Sequence, residues 1–194
     1  MISTNNLSIQ YGKRILFDEV NITFKKGNCY GVIGANGAGK STFLKVLSGE
    51  IQPNSGSVII EPGNRLSILE QNQNAYDKYT VIDSTIMGNK DLYQIKKEMD
   101  FLYSKEDFSD DDGIKVGELQ NKYEEMDGWN AESEAASLLS QLGVKESLHN
   151  QKLIDIDLKL KVRVLLAQSL FGNPDILIMD EPTNDLDFET IKWL

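Results

Sequence analysis

The stretch that decides the fold is Gly34-Ala35-Asn36-Gly37-Ala38-Gly39-Lys40-Ser41, which fills every fixed position of the pattern G-x-x-x-x-G-K-[ST]. The apolar residues 30–33 precede it and predict a short strand buried on both faces. Residues 42–47 follow it as a predicted helix that ends at Gly49. Glycines let successive backbone N–H groups converge on phosphate oxygens, and a helix N-terminus adds partial positive charge there. The sequence therefore predicts a phosphate-binding loop.

Two side chains of this loop add chemistry to its backbone. Lys40 is expected to reach the β- and γ-phosphates of a nucleotide, and the Ser41 hydroxyl is expected to ligate Mg²⁺. The predicted cradle comprises Gly34, Asn36, Gly37, Ala38, Gly39, Lys40, Ser41 and Thr42. The expected ligand is ATP together with Mg²⁺.

Two adjacent carboxylates follow a second apolar strand, predicted at residues 176–179. Asp180 is expected to hold a water of the Mg²⁺ shell, and Glu181 to orient the attacking water as a general base. In parallel α/β sheets, ligands bind at this carboxyl edge of the strands. Taken alone, the two carboxylates could equally be polar residues that follow the end of a strand. The presence of the phosphate loop favours their assignment to the nucleotide site.

The first 70 residues otherwise contain strands and turns. Alternation of apolar and polar residues predicts strands at residues 7–11, 20–24, 57–60 and 66–69. Further along, helical spacing predicts two helices with apolar faces at residues 92–102 and 116–126. An acidic turn joins these helices, and the pair is predicted to form an inserted helical hairpin.

Two more helices are predicted, one after Asn130 as its N-cap and one through residues 162–170. Strands and helices interleaved in this way favour an α/β core with a parallel sheet.

Composition narrows the class of protein. The chain has 194 residues, 40% of them apolar, and a net charge of −10, which argues against non-specific attraction to polyanions. No stretch has the length of a membrane span, and no signal peptide is evident, so a cytoplasmic protein is expected. The single cysteine, Cys29, is predicted to be a buried small hydrophobe. The single histidine, His149, is predicted to be a solvated loop residue rather than a metal ligand.

Residues 162–170 and 180–187, together with the phosphate loop, resemble an ATP-binding cassette. Within that superfamily the chain resembles the first cassette of ABC-F proteins, through residues 190–194. The resemblance implies an α/β P-loop NTPase fold, an ABC-type nucleotide-binding domain with an antiparallel β subdomain and a helical insertion. It assigns residues 1–70 to the β subdomain and loop, about 88–128 to the insertion, and 129–194 to the remaining helices, the second apolar strand and a crossing loop.

The resemblance also assigns roles that spacing alone does not. Tyr11 matches the aromatic residue that stacks on adenine, although a strand-end tyrosine needs no such role. Gln71 matches the glutamine that contacts Mg²⁺ and the attacking water, with Gln73 as the alternative. The implied catalytic set is Lys40, Gln71 and Glu181, and the implied metal ligands are Ser41, Gln71 and Asp180. Asn184 to Asp187 match the loop that crosses to a partner cassette, with Asp185 where a histidine is common.

The resemblance further implies two cassettes on one polypeptide, no membrane domain, and binding to the ribosome and its rRNA. One rival interpretation is the ATPase subunit of a membrane transporter, which would share every site residue. Another is a non-catalytic module that binds ATP only as a structural switch.

The sequence departs from the cassette pattern in two places. Where cassettes present L-S-G-G-[QE], residues 156–160 read Ile-Asp-Leu-Lys-Leu, which predicts poor contact with a partner's ATP and two unequal composite sites. Asp157 there is expected to serve as an N-cap, and Lys159 could restore part of the phosphate contact. The chain also ends at Leu194, before the position of the family's γ-phosphate histidine. Negligible hydrolysis is therefore expected from this chain alone.

Overall fold

Strand β1 (Ile2–Tyr11) is the centre of an antiparallel sheet in this computed structural model, which describes residues 1–182 and Thr190. Strands β2 (Arg14–Val20), β3 (Thr23–Phe24) and β4 (Ser55–Ile60) all pair with it in antiparallel register. Because β1 alternates buried and exposed side chains, one face of this sheet covers a core. The predicted antiparallel β subdomain is confirmed.

The described residues divide into two units. The first contains Met1–Leu69 and Asn173–Pro182, and the second contains Glu70–Gly172. Each unit has its own hydrophobic core.

A short parallel sheet completes the first unit. Strand β5 (Leu66–Ile68) pairs with β6 (Ile176–Ile178), so two segments more than 100 residues apart in the chain lie side by side. Helix α1 (Lys40–Leu47) buries one face in the core of this unit, and the ring of Phe43 packs edge-on against Phe17, with centroids 5.5 Å apart. The buried members of this core are Ile2, Leu7, Ile9, Phe43, Val46, Leu47 and Ile178.

One predicted strand is absent. Residues 30–33 form no strand, and the Ile33 side chain is 96% exposed. An apolar run becomes a buried strand only where neighbouring strands pair with its edges, and none of the strands within residues 1–182 pairs with this one. The predicted burial of Cys29 is wrong for the same reason, because its thiol precedes this run and is exposed.

Within residues 70–172, five helices build the second unit. They are α2 (Val81–Ile86), α3 (Lys90–Tyr103), α4 (Asp110–Glu125), α5 (Ala131–Gln141) and α6 (Leu158–Leu170). Single helical turns lie at Gly128–Asn130, Glu146–Leu148 and Leu153–Asp155. Within the described part of the chain, no helix combines the length and apolar character that crossing a bilayer requires.

Helices α3 and α4 form the predicted hairpin. The predicted apolar faces contain their buried side chains, and Ile95 and Met126, predicted on the same faces, are only partly buried. The buried ones are Leu92, Met99 and Leu102 on α3, and Val116, Leu119 and Tyr123 on α4. The acidic turn ends in a capping box, in which the Ser109 hydroxyl accepts the Asp112 N–H and the Asp112 carboxylate accepts the Ser109 N–H. The start of α4 is thus fixed by local sequence.

Two polar residues of the second unit, His149 and Asn130, differ from the prediction, the first in its burial and the second in its hydrogen bond. His149 is only 3% exposed, and its Nε2 lies 3.1 Å from the Val144 carbonyl oxygen, so the predicted solvated position is wrong. The N-terminus of α2 covers it, because the Ile82 N–H donates to the His149 carbonyl. Asn130 does occupy the N-cap position of α5, but its side chain donates to Asp127 instead of accepting a helix N–H.

Two glycines of this unit offer a matched test of packing. An alanine Cβ at Gly88 would lie 1.8 Å from the Gln168 carbonyl oxygen, whereas one at Gly117 in α4 would meet nothing within 4 Å. We expect Gly88→Ala to lower the free energy of unfolding by about 3 kcal/mol, because backbone must move. We expect Gly117→Ala to raise it by about 0.5–1 kcal/mol through helix propensity. Urea unfolding of both variants checks this, and equal shifts in the two midpoints would contradict the packing of α2 against α6.

Candidate nucleotide-binding site

The amino end of α1 lacks a side-chain cap. Its N-cap residue is Gly39, in a left-handed conformation with φ 98° and no side chain to accept a helix N–H. The helical hydrogen bond that returns to this cap runs from the Phe43 N–H to the Gly39 carbonyl, at 2.8 Å. The N–H groups that precede Phe43 therefore point out of the helix end, where the helix dipole also favours an anion.

The loop before this helix is curled by hydrogen bonds to its own carbonyls. The Lys40 ammonium donates to the carbonyls of Gly34 and Ala35, at 2.9 and 3.1 Å. The Ala38 N–H also donates to the Ala35 carbonyl, at 3.1 Å. The side chain predicted to hold phosphate thus lies inside the curve of the loop.

A pocket of about 330 Å³ lies over this loop and helix end. Its lining consists of Leu16, Asn36, Gly37, Gly39, Lys40, Ser41, Thr42 and Glu181. All of these residues belong to the first unit. The structure therefore brings together a cation, a hydroxyl and a carboxylate from segments about 140 residues apart in the sequence.

Glu181 reaches the pocket through the parallel pair of strands. β6 ends at Ile178, Asp180 follows it half-buried, and Glu181 adopts a left-handed backbone conformation with φ 47°. Such a conformation is unfavourable for a residue with a side chain and clusters at functional sites. Gly34, Ala38 and Asp180 do not line the pocket, although the first two belong to its loop and the third adjoins Glu181.

Tyr11 lies at the end of β1 with 54% of its surface exposed. Its strand partner across the β1–β2 turn is Arg14, whose guanidinium donates to the Gly37 carbonyl at 2.6 Å. The aromatic ring and the loop are thus connected through one hairpin. Sequence reasoning missed Arg14, and the signal that could have found it is its position one turn after Tyr11.

Gln71 belongs to the second unit, as does Gln73, and the choice between them stays a prediction. The segment after Gln71 is anchored to α6, since the buried Lys161 ammonium pairs with Asp77 and donates to Asn74 at 3.2 Å. Burial raises the pKa of the Tyr76 hydroxyl in the same segment, and the Glu70 carboxylate raises it further, against a hydrogen bond with Gln168.

Residues 156–160, whose sequence differs from the cassette pattern, lie at the start of α6. Asp157 is its N-cap, as predicted, and accepts the Leu160 N–H at 3.0 Å. The next two side chains, Leu158 and Lys159, are both exposed, with Leu158 at 58%. The surface at this helix end therefore carries an apolar and a cationic side chain at the two glycine positions of the cassette pattern, and a carboxylate at its serine position. The predicted crossing loop, Asn184 to Asp187, lies outside the described residues.

Comparison with known proteins decides the family. A family model described as ABC transporter matches residues 17–184, which is most of the chain. The chain belongs to the ABC transporter family. The expectation of an ATP-binding cassette is confirmed, and so is the predicted P-loop NTPase fold class.

The relatives of the cassette are ATP-binding proteins. It is 56% identical over 194 residues to the ABC transporter ATP-binding protein YkpA of Bacillus subtilis, and 45% identical over 194 residues to the probable ATP-binding protein YbiT of Escherichia coli O157:H7. These alignments cover 100% of the cassette but only 36% and 37% of the two relatives. The cassette thus spans just over a third of their length. These matches support the predicted resemblance to the ABC-F type.

A solved structure shares the fold at low sequence identity. It is the dimeric post-hydrolysis state of the ATP-binding cassette MJ0796 bound to ADP and Pi, with a TM-score of 0.67 and 20% identity. The match covers 100% of the cassette and 79% of that chain. At this identity the likeness establishes the fold alone.

Two glycines that flank α1 test the loop geometry. Both have positive φ, 98° at Gly39 and 82° at Gly49, but a Cβ at Gly39 would touch Leu16 at 3.4 Å, and one at Gly49 would meet nothing within 4 Å. Either alanine variant is expected to lose about 1–2 kcal/mol of stability through backbone strain. Only Gly39→Ala is expected to weaken Mg-ATP binding, by tenfold or more, because Gly39 lines the pocket. Calorimetric titration of both variants measures this, and a comparable loss of affinity in Gly49→Ala would contradict it.

Proposed function

We propose that this cassette binds Mg-ATP as the first of two cassettes of a cytoplasmic ABC-F-type ATPase, and that the full-length protein acts on the ribosome. The observation that carries the nucleotide site is that Lys40, Ser41 and Glu181 line one and the same pocket. In this assignment, residues 88–128 form an insertion, and residues 1–70 and 129–194 form the body of the cassette.

The residues of the pocket fit a magnesium–triphosphate group. A hydroxyl and a carboxylate are oxygen donors of the kind that Mg²⁺ prefers, and Mg²⁺ usually keeps several waters while it bridges to phosphates. Ser41 is proposed to hold the ion directly, with Asp180 and Gln71 completing its surroundings. When bound, Mg²⁺ would neutralise negative charge that develops on the phosphates.

The chain's own groups then account for the rest of the chemistry. The N–H groups at the start of α1 and the Lys40 ammonium bind the phosphates, and Tyr11 stacks on the adenine. Glu181 orients the attacking water and accepts its proton at a carboxylate oxygen. Phosphoryl transfer depends mainly on positioning and charge stabilisation, which is what a preorganised loop supplies.

The two composite sites of the full-length protein are proposed to be unequal. Glycines at 158 and 159 would let N–H groups approach a γ-phosphate held by the other cassette, whereas Leu158 and Lys159 bring side chains into that space and Asp157 adds a negative charge. Restoring Ser-Gly-Gly-Glu at 157–160 in the full-length protein is expected to increase nucleotide-driven closure. Unchanged closure, measured as the distance between labels on the two cassettes, would contradict the inequality.

Hydrolysis is tested by a pair of substitutions in the full-length protein. Glu181→Gln is expected to lower the ATPase rate by about 100-fold or more, because it removes a general base, while Mg-ATP binding persists. Lys40→Met is expected to abolish Mg-ATP binding. Lys45→Met, which removes a lysine from the other end of α1, is the matched control and is expected to bind Mg-ATP as wild type does. If Glu181→Gln hydrolyses ATP at the wild-type rate, the cassette is a non-catalytic nucleotide switch at this site.

The ribosome assignment competes with one alternative, the ATPase subunit of a membrane transporter. This alternative is favoured by the description of the matched family and by the name of the relative YkpA, since both refer to ABC transporters. Co-sedimentation of full-length Glu181→Gln with ribosomes in ATP distinguishes the two. Pelleting that depends on ATP and disappears in Glu181→Gln/Lys40→Met supports the ribosome. Failure to pellet while ATP is bound supports the transporter.

A further inference from the structure

Arg14 is an exposed residue at the start of β2 with one well-defined contact. Its Nη2 donates to the Gly37 carbonyl at 2.6 Å, which is short even for a hydrogen bond from a charged donor. Gly37 lies 23 residues further along the chain, in the middle of the phosphate loop. This bond therefore joins the β1–β2 hairpin to the loop.

The hydrogen bond from Arg14 orients the whole peptide group between Gly37 and Ala38. Because a trans peptide group is planar, the Gly37 carbonyl and the Ala38 N–H point in opposite directions, and holding one orients the other. The Ala38 N–H closes the turn back to the Ala35 carbonyl, at 3.1 Å. Ala35 is also held by Lys40. Two cationic side chains thus donate hydrogen bonds to loop carbonyls, Lys40 from inside the curve and Arg14 from strand β2.

The same hairpin end carries Tyr11. Tyr11 and Arg14 are paired across the turn formed by Gly12 and Lys13, and Leu16 lies two residues beyond Arg14, where the register of the β1–β2 pair shifts. Leu16 lines the pocket, and two of its side-chain carbons lie 3.4 Å from where a Cβ of Gly39 would be. A hydrogen bond at Gly37 and an apolar contact at Gly39 therefore set the loop against this hairpin.

We propose that Arg14 is a positioning residue of the nucleotide site, which sets the phosphate loop at a fixed distance from the Tyr11 ring. The inference rests on the proposed binding of Mg-ATP in this pocket. An arginine suits this task because its planar guanidinium has a rigid donor geometry, whereas a lysine ammonium is a flexible point charge.

Binding of two ligands to the full-length protein tests the proposal: Mg-ATP, and magnesium tripolyphosphate, which lacks the adenosine. Arg14→Ala is expected to weaken Mg-ATP binding tenfold or more and tripolyphosphate binding by at least threefold, because the loop loses an anchor. Arg14→Lys is expected to recover part of the loss. Lys13→Ala, which removes the same charge from the same turn, is expected to stay within twofold of wild type.

A double-mutant cycle separates positioning from independent contributions. The affinity lost on Tyr11→Ala is expected to be at least threefold smaller in the Arg14→Ala background than in wild type, because an untethered loop no longer shares its geometry with the ring. If Arg14 only stabilised the fold, Arg14→Ala would lower the melting temperature but would not change the effect of Tyr11→Ala on affinity. Thermal unfolding is therefore recorded for every variant.

Three outcomes overturn the proposal. They are wild-type affinity in Arg14→Ala, an equal loss in Lys13→Ala, which would show a general charge effect, and additive losses in the cycle. Lys40→Met keeps this test separate from the proposed function: if that variant binds Mg-ATP like wild type, the site itself is wrong, whatever Arg14 does.

Discussion

The curl of the loop before α1 is the constraint on which the site depends. The Lys40 ammonium and the Ala38 N–H hold the curl by donating to loop carbonyls, and Gly39, at φ 98°, leads into α1 without a side-chain cap. A serine or aspartate at the cap would stabilise the helix but would use the N–H groups that an anion needs. The helix therefore forgoes a common source of stability, and its apolar face in the core supports it instead.

The parts of the fold that local sequence controls were predictable. The phosphate loop, the hairpin faces at Leu92 and Val116, and the cap at Asp157 depend on spacing or on neighbours within one helical turn. The prediction that Glu181 and Lys40 share a site rested on the rule that ligands bind at the carboxyl edge of parallel strands. Both residues do line one pocket, although the strand predicted at residues 30–33 does not form and β6 pairs with β5 instead.

The failures share a physical cause, which is that burial is decided by distant partners. The apolar residues 30–33 are exposed, whereas His149, within a polar stretch, is buried. The first segment lacks strand partners among the described residues, and the backbone of His149 is bonded to the N-terminus of α2. Arg14 escaped prediction likewise. Its position just after Tyr11 is the one sequence signal, since its partner is a backbone carbonyl 23 residues away that no side-chain pattern reveals.

The helical hairpin has a mechanical consequence. Helix α4 has 16 residues, so it is about 24 Å long, and its capped start and packed partner α3 make the pair stiff along its axis. A stiff rod amplifies motion at its base: a rotation of about 10° there displaces the far end by about 4 Å, from this length. That displacement is about three-quarters of the roughly 5.4 Å rise of one α-helical turn, so a small tilt at the base of the hairpin gives a much larger movement at its tip.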